Sequence, residues 1–381
     1  MPGDFDFGLT SEQEERALTL HDQSISIDLC SMGPGGPALY DRLPEDEIEE
    51  RLPDTMPPFT RFLKAMTLPY ELTAEGASDA LQSFCNGHSS ASFAMGGVSE
   101  GALQPLQQLN EWVESIPWME LARKAEDFRR GHEEGVYVTY GYAQPGLEGL
   151  PRDLNQFDRA FELGCRSAML TYNRQDFVGA GCTERTNAGL SNYGKDVVAK
   201  MNDVGLIVDT SHCGFQTTLD ACFFSKAPVT ANHTGVAALF NHDRAKSDEE
   251  ILAIADTGGL IGVYALPFFL APPHEEPTFE VILDNLEYIA NLVGWEHVGI
   301  GTDWPFMMSH HLAEITIGMQ TAELGFRPEH GISIRRTTEG YEDARDFINF
   351  TRGLVSRGCT DEQIKGVLGE NFLRIFKQVC G

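Results

Sequence analysis

Two histidines, His212 and His233, each stand directly after a short apolar run, Leu206-Ile-Val-Asp-Thr-Ser before the first and Pro228-Val-Thr-Ala-Asn before the second. A third run, His297-Val-Gly-Ile-Gly-Thr, leads into Asp303. Imidazole nitrogens bind divalent metals or carry protons near neutral pH, and a carboxylate can share either task. If the runs are neighbouring parallel strands, their carboxyl ends converge and the three side chains meet. His212, His233 and Asp303 are therefore candidate metal ligands, with His233 and Asp303 also candidates for the chemical step. A single histidine after a strand is more often a hydrogen-bonded loop residue. Recurrence on successive strands, joined by an acid from a later one, is what favours a site.

Convergence needs a chain that alternates strands with helices, and this one does. Strand-like runs fall at 26–30, 92–98, 136–142, 167–172, 206–210, 229–232, 260–265 and 298–301. Between them, Leu154, Phe157 and Phe161 recur at helical spacing before Gly164, as do Phe279, Ile282, Leu286, Ile289 and Val293 before Gly294. Ser247-Asp-Glu-Glu250 and Thr360-Asp-Glu-Gln363 read as capping boxes that open helices. Eight such strands predict a (β/α)8 barrel of one domain spanning 1–381, with a helical insertion over the mouth at about 33–90. A doubly wound open sheet is the competitor, but no glycine-rich phosphate turn follows the first strand: Gly33-Pro-Gly-Gly36 has the wrong spacing and a proline inside it.

Composition limits the partners. A formal charge of −29 would repel nucleic acid and anionic lipid, while 42% hydrophobic residues suffice for a substantial core. The amino terminus has neither a basic nor an apolar leader region, and no apolar stretch approaches the roughly 20 residues that span a bilayer. The expectation is a cytoplasmic protein whose eight cysteines are free thiols.

In order along the chain, Leu170-Thr-Tyr-Asn173, Gly181-Cys-Thr-Glu-Arg185, Gly189-Leu-Ser, Asp209-Thr-Ser-His212, Asn232-His233, His242-Asp-Arg244, Gly299-Ile-Gly-Thr-Asp303 and Gly369-Glu-Asn371-Phe together resemble the membrane (renal) dipeptidase family, peptidase family M19 of the amidohydrolase superfamily. The resemblance implies a metal-bearing barrel that hydrolyses a dipeptide or another small carboxylate-bearing amide. By that likeness, His212 and His233 bind a zinc ion, Arg244 holds the substrate carboxylate, and Asp303 passes a proton from water to the leaving amine. The less favoured alternatives are a surface arginine for Arg244 and a helix cap before Trp304-Pro305 for Asp303. A homodimer is expected by family analogy alone.

The chain departs from the family in two places. Where the family has Asp-Gly-His-x-Asp after the first strand, this chain has Asp28-Leu-Cys30-Ser-Met32. Where the family has a metal-bridging Glu after the third strand, this chain reads Tyr140-Gly-Tyr142-Ala-Gln144, with no carboxylate until Glu148. Two cations about 3.5–4 Å apart need bridging anions. The expectation is one zinc at most, held by His212, His233 and Asp303, with Cys30 a more distant candidate. Gln144 and Tyr142 are then candidates for substrate contact. A divergent barrel with one metal or none, or a carboxylate-binding protein without catalysis, stays open beside the hydrolase.

Overall fold

A computed structural model describes residues 3–31, 45–53, 55–57, 60–61, 64, 90–95, 103–145, 150–303, 324–333, 337–342 and 344–381. Ten strands run through it: β1 Ile27–Asp28, β2 Ser90–Met95, β3 Met119–Leu121, β4 Tyr137–Ala143, β5 Cys165–Met169, β6 Ile207–Asp209, β7 Val229–Val236, β8 Ala245–Lys246, β9 Leu260–Val263 and β10 Val298–Ile300. Eight of them lie side by side in the order β1-β2-β4-β5-β6-β7-β9-β10, every pair parallel. The sheet returns on itself, because Leu29 N–H donates to the Ile300 carbonyl (2.9 Å) and Asp303 N–H to the Cys30 carbonyl (2.8 Å). The predicted (β/α)8 barrel is the observed fold.

Local sequence explains most of the helices around the barrel. Ser247 and Thr360 close the capping boxes expected of them, each accepting the N–H three residues on while Glu250 and Gln363 reach back. The helix Asn192–Val204 stops at Gly205, whose φ of 93° is open to glycine at little cost, and β6 begins two residues later. Helix Phe279–Val293 buries Phe279, Ile282, Leu286 and Ile289, the stripe its spacing predicted. Strand and helix aromatics also meet: Tyr140 of β4 stacks on Phe372 of the carboxyl-terminal helix, with ring centroids 5.5 Å apart. Of the proposed insertion at 33–90, a helix at Glu45–Arg51 lies among the described residues and most of the remainder lies outside them.

Two strands escaped the sequence reading, and a third is longer than expected. β3 is a short strand that pairs alongside the start of β4. β7 runs on to Val236, so His233 lies within the strand and not after it. Its register against β9 shifts between Ala231 and Thr234, an irregularity of the kind that re-aims a side chain. Beyond the shift, β7 pairs with β8 at Gly235↔Ala245 and Val236↔Lys246, which folds the preceding residue, Arg244, back over the strand.

The shift brings the Asn232 carbonyl close to both strands beyond it. A Cβ at Gly301 would stand 1.9 Å from that oxygen, and one at Gly262 would stand 2.0 Å from it. The two glycines therefore make room for the backbone that carries His233. Gly301→Ala is expected to lower the unfolding free energy by about 1–3 kcal/mol, as overpacking does. The readout is a lower urea midpoint at unchanged slope, and an unaltered midpoint would mean that the backbone at Asn232 is free to yield.

Candidate active site

The two histidines are buried and adjacent, their ring centroids 5.1 Å apart. Each has one nitrogen fixed by the groups behind it. His212 Nδ1 lies 2.7 Å from Asn173 Oδ1, an oxygen that only accepts, so Nδ1 carries the proton and Nε2 keeps its lone pair. Asn173 cannot be turned the other way, because its Nδ2 donates to the Leu324 carbonyl at 2.9 Å. Tyr172 stacks on the His212 ring at 4.0 Å and sets its plane.

His233 is arranged in the same sense through a different relay. The Tyr142 hydroxyl donates to Asp209 Oδ2 and lies 3.4 Å from His233 Nδ1, so the tyrosine oxygen accepts from Nδ1–H. Asp209 in turn accepts from Ser211 N–H (3.1 Å), Ser211 Oγ (2.6 Å) and Asn232 N–H (2.8 Å). The Ser211 hydroxyl then accepts from His233 N–H at 3.0 Å. His233 Nε2 is buried and has no hydrogen-bond partner among the described residues. Burial pushes both imidazoles well below their usual pKa, with the Arg244 charge adding to it, so both rings are neutral.

Arg244 is no surface arginine: it is 1% exposed. One terminal nitrogen donates to the Ser211 carbonyl and the other to the His233 carbonyl at 3.1 Å, while Nε has no partner. The guanidinium packs on the rings of Tyr264 and Phe269, 5.9 and 5.6 Å from their centroids. No carboxylate among the described residues forms an ion pair with it. A buried cation held by two carbonyls and bearing spare donors is a seat for an anion.

Cys30 and Asp303 face each other across the closure of β10 on β1. Cys30 Sγ donates toward Asp303 Oδ1 at 3.6 Å and accepts from Gln144 Nε2 at 3.3 Å. Asp303 is the one non-glycine described residue with positive φ, at 54°, held there by its N–H bond to the Cys30 carbonyl. Burial raises its carboxyl to about 6, with the Arg244 charge and the Cys30 thiol pulling the other way. Burial and the charges of Asp303, Asp28 and Asp209 push the Cys30 thiol well above its ordinary value.

The structure thus gathers His212, His233, Arg244 and Asp303 at one end of the barrel, with Tyr142 and Gln144 directly behind them. Tyr142 and Gln144 touch the site residues themselves, His233 and Cys30 respectively. Asp28 was not singled out by the sequence reading, yet it anchors the closure: it accepts from Thr302 N–H (2.9 Å), Thr302 Oγ1 (2.6 Å) and Cys30 N–H (3.1 Å). Asp209 and Asn173 stood inside recognisable motifs, but only the folded pairing reveals what they hold. Met32, Glu148 and the pair His310-His311 lie outside the described residues.

One group of side chains has the donors and spacing for a metal ion. A ring nitrogen of His233, Cys30 Sγ and a carboxylate oxygen of Asp303 all lie within 4.8 Å of one another. Imidazole, thiol and carboxylate are the zinc donor set, and the lone pair on His233 Nε2 is otherwise unsatisfied. The residues fit such an ion. His212 stands beside this group, its ring centroid 5.1 Å from that of His233, and is not one of its members. No helix among the described residues is long and apolar enough to cross a membrane.

The chain is similar to several known proteins. An uncharacterised dipeptidase of Schizosaccharomyces pombe is 27% identical over 76% of this chain and 66% of its own length. The dipeptidase tcpJ of Claviceps purpurea is 27% identical over 68% of the chain and 55% of its own. The chain thus spans between about half and two thirds of the length of these relatives. An amidohydrolase from Pseudomonas aeruginosa superposes with a TM-score of 0.74 at 25% identity, covering 96% of this chain and 99% of that one. A metallopeptidase from Rhodobacter sphaeroides, bound to a phosphinate mimic of the dipeptide L-Ala-D-Ala, shares the fold with a TM-score of 0.67 at 17% identity, over 94% and 100% of the two chains. The sequence pattern of the membrane dipeptidase family matches residues 84–316 and 308–380. These spans cover well over half of the chain, which therefore belongs to the membrane dipeptidase family, peptidase family M19.

Proposed function

We propose that this protein hydrolyses a dipeptide or another small amide bearing a free carboxylate, with the help of one divalent metal ion. The observation that carries the reading is His233, whose Nε2 is buried and unpartnered among the described residues and whose ring has a nitrogen within 4.8 Å of an Asp303 oxygen, with the Arg244 guanidinium, free of any ion pair there, against the same strand. His233 and Asp303 would hold the ion, and His212 offers a second Nε2 lone pair next to them. Zinc bound there would supply Lewis-acid polarisation of the scissile carbonyl and a more acidic water.

The chain's own groups do the rest. Arg244 keeps three of its five N–H donors free once the two carbonyls are served, enough to clamp a substrate carboxylate. That clamp fixes the position of the amide relative to Asp303. One Asp303 oxygen can accept the proton lost by the attacking water and return it to the leaving amine. Tyr142 and Asp209 keep Nδ1 of His233 protonated, so that Nε2 faces the reaction with its lone pair. The expected substrate partner is a small molecule, and the acidic surface disfavours nucleic acid and anionic membranes.

Metal content tests the stoichiometry. Among the described residues there is one group with ligand spacing, while Asp28 and Asp209 have their oxygens taken up by protein donors. Protein purified without added metal and then loaded with zinc should hold one ion per chain by elemental analysis; two would overturn the single-ion reading.

Turnover tests the activity. A panel of dipeptides and N-acyl amino acids should include one that the zinc-loaded protein hydrolyses, with the rate falling by more than about 100-fold in His233→Ala. Absence of turnover across the panel with zinc bound would reject the hydrolase and favour the carboxylate-binding alternative.

The carboxylate seat is tested from the substrate side. Converting the best dipeptide to its carboxyl-terminal amide should raise KM by roughly 10–100-fold, the worth of one or two hydrogen bonds to a charged group. Equal KM values for acid and amide would remove Arg244 from substrate binding.

A further inference from the structure

Cys30 has no task in the hydrolytic scheme, yet its surroundings are not those of an inert core thiol. Part of its surface packs as a buried apolar thiol does, in one cluster with Leu29, Tyr140 and Met169, but its sulfur also meets polar groups. Cys30 Sγ accepts from the Gln144 amide at 3.3 Å and directs its own proton at Asp303 Oδ1, 3.6 Å away. It sits where β1 meets β10, and the carbonyl of the same residue holds Asp303 N–H. We propose that Cys30 binds the metal ion as a thiolate, forming with His233 and Asp303 a Cys-His-Asp centre for a single zinc-type ion. The proposal rests on the reading of this mouth as a metal site and specifies its chemistry.

Three observations carry it. The three donor atoms lie within 4.8 Å of one another, a spread that ligands placed about 2.0–2.3 Å from a common ion can span with small side-chain adjustments. His233, whose ring belongs to the cluster, has an Nε2 that is fully buried and without a partner among the described residues, a lone pair free for an ion. The thiol proton lies between sulfur and the Asp303 carboxylate, the place where a cation would interact with both. On binding, the S–H bond breaks heterolytically, its electron pair becomes the sulfur–metal bond, and the proton leaves to bulk water. The Gln144 N–H then remains as a donor to the thiolate, the kind of outer hydrogen bond that tunes a metal–sulfur bond.

A thiolate also changes which ion the site prefers. Sulfur favours zinc and cobalt(II) over magnesium, calcium and manganese, which take oxygen. The departure from the family's His-x-Asp segment would then exchange one nitrogen donor for a sulfur donor and reduce the centre to one ion.

The experiment is a cobalt(II) titration of metal-free protein, followed by absorption. The expected result is an intense near-ultraviolet sulfur-to-cobalt band that saturates at one equivalent. Cys30→Ser should lose that band while keeping the weak visible bands of bound cobalt, and Cys182→Ser should keep both. Cobalt that binds wild-type protein without the near-ultraviolet band overturns the proposal, as does a band that survives Cys30→Ser. Should Cys30→Ser fail to fold, X-ray absorption at the zinc edge of the wild-type protein decides: one sulfur at about 2.3 Å supports the assignment, and a shell of nitrogen and oxygen alone at about 2.0–2.1 Å refutes it. Neither readout needs turnover. A sulfur-ligated ion in a protein that hydrolyses no dipeptide would keep this proposal and remove the hydrolase, whereas turnover with an all-nitrogen-and-oxygen shell would do the reverse.

Discussion

The mouth of this barrel depends on one closure, the return of β10 to β1. Cys30 and Asp303 are 273 residues apart in sequence, and nothing local brings them together. Two backbone hydrogen bonds join the strands, and the Asp28 carboxylate fastens the join by taking both donors of Thr302. Burial raises the Asp28 carboxyl to about 7 even against those donors, so the clasp has a cost of its own. In return it sets the turn at Thr302 and Asp303. The positive φ of Asp303, mildly unfavourable for an L residue though least so for Asp and Asn, points its side chain into the mouth.

The second constraint is that two buried imidazoles must stay neutral with their useful nitrogens in the right protonation state. Each solves this with an acceptor behind Nδ1, but the acceptors differ. For His212 it is an amide oxygen whose orientation is locked by a carbonyl. For His233 it is a phenol oxygen, made an acceptor because its own proton goes to Asp209. Asp209 also binds the backbone of Asn232 and, through Ser211, that of His233, so one carboxylate fixes both the position and the protonation of the ring.

Much of this was legible in the sequence, and the part that was not has a common cause. Strand ends, capping boxes and helix stops depend on residues within a few positions of one another, so periodicity and turn chemistry exposed them. His212, His233 and Asp303 were found because strand ends in a barrel converge by geometry. The bulge at residues 232–233 and the β7–β8 pairing were invisible, since a register shift leaves no mark on an apolar run. They matter here, because they decide where His233 points and why Arg244 is buried rather than exposed. Asp28 was hidden for the same reason, since it acts on a partner in a distant strand, and so was the bonding of Tyr142, singled out for substrate contact, to Asp209 and His233. Cys30, read as a departure from a motif, turned out to lie against the acid from the last strand.

Three carboxylates, Asp28, Asp209 and Asp303, converge on the mouth, and they differ in how many protein donors they accept from. Asp28 accepts three hydrogen bonds and Asp209 four, so their oxygens are solvated by the protein and serve to hold strands and rings in place. Asp303 accepts a single weak bond from a thiol among the described residues and is more open to the mouth. A partly buried carboxylate left short of donors is held in a high-energy state unless a cation or a proton reaches it. Among the described residues, Arg244 is tied to two carbonyls and makes no ion pair with it. Asp303, His233 Nε2 and the Arg244 guanidinium are therefore unsatisfied in complementary ways, two as donors of electron pairs and one as a donor of protons. An ion together with an anionic amide would satisfy all three at once, and the same deficits would orient what enters the mouth.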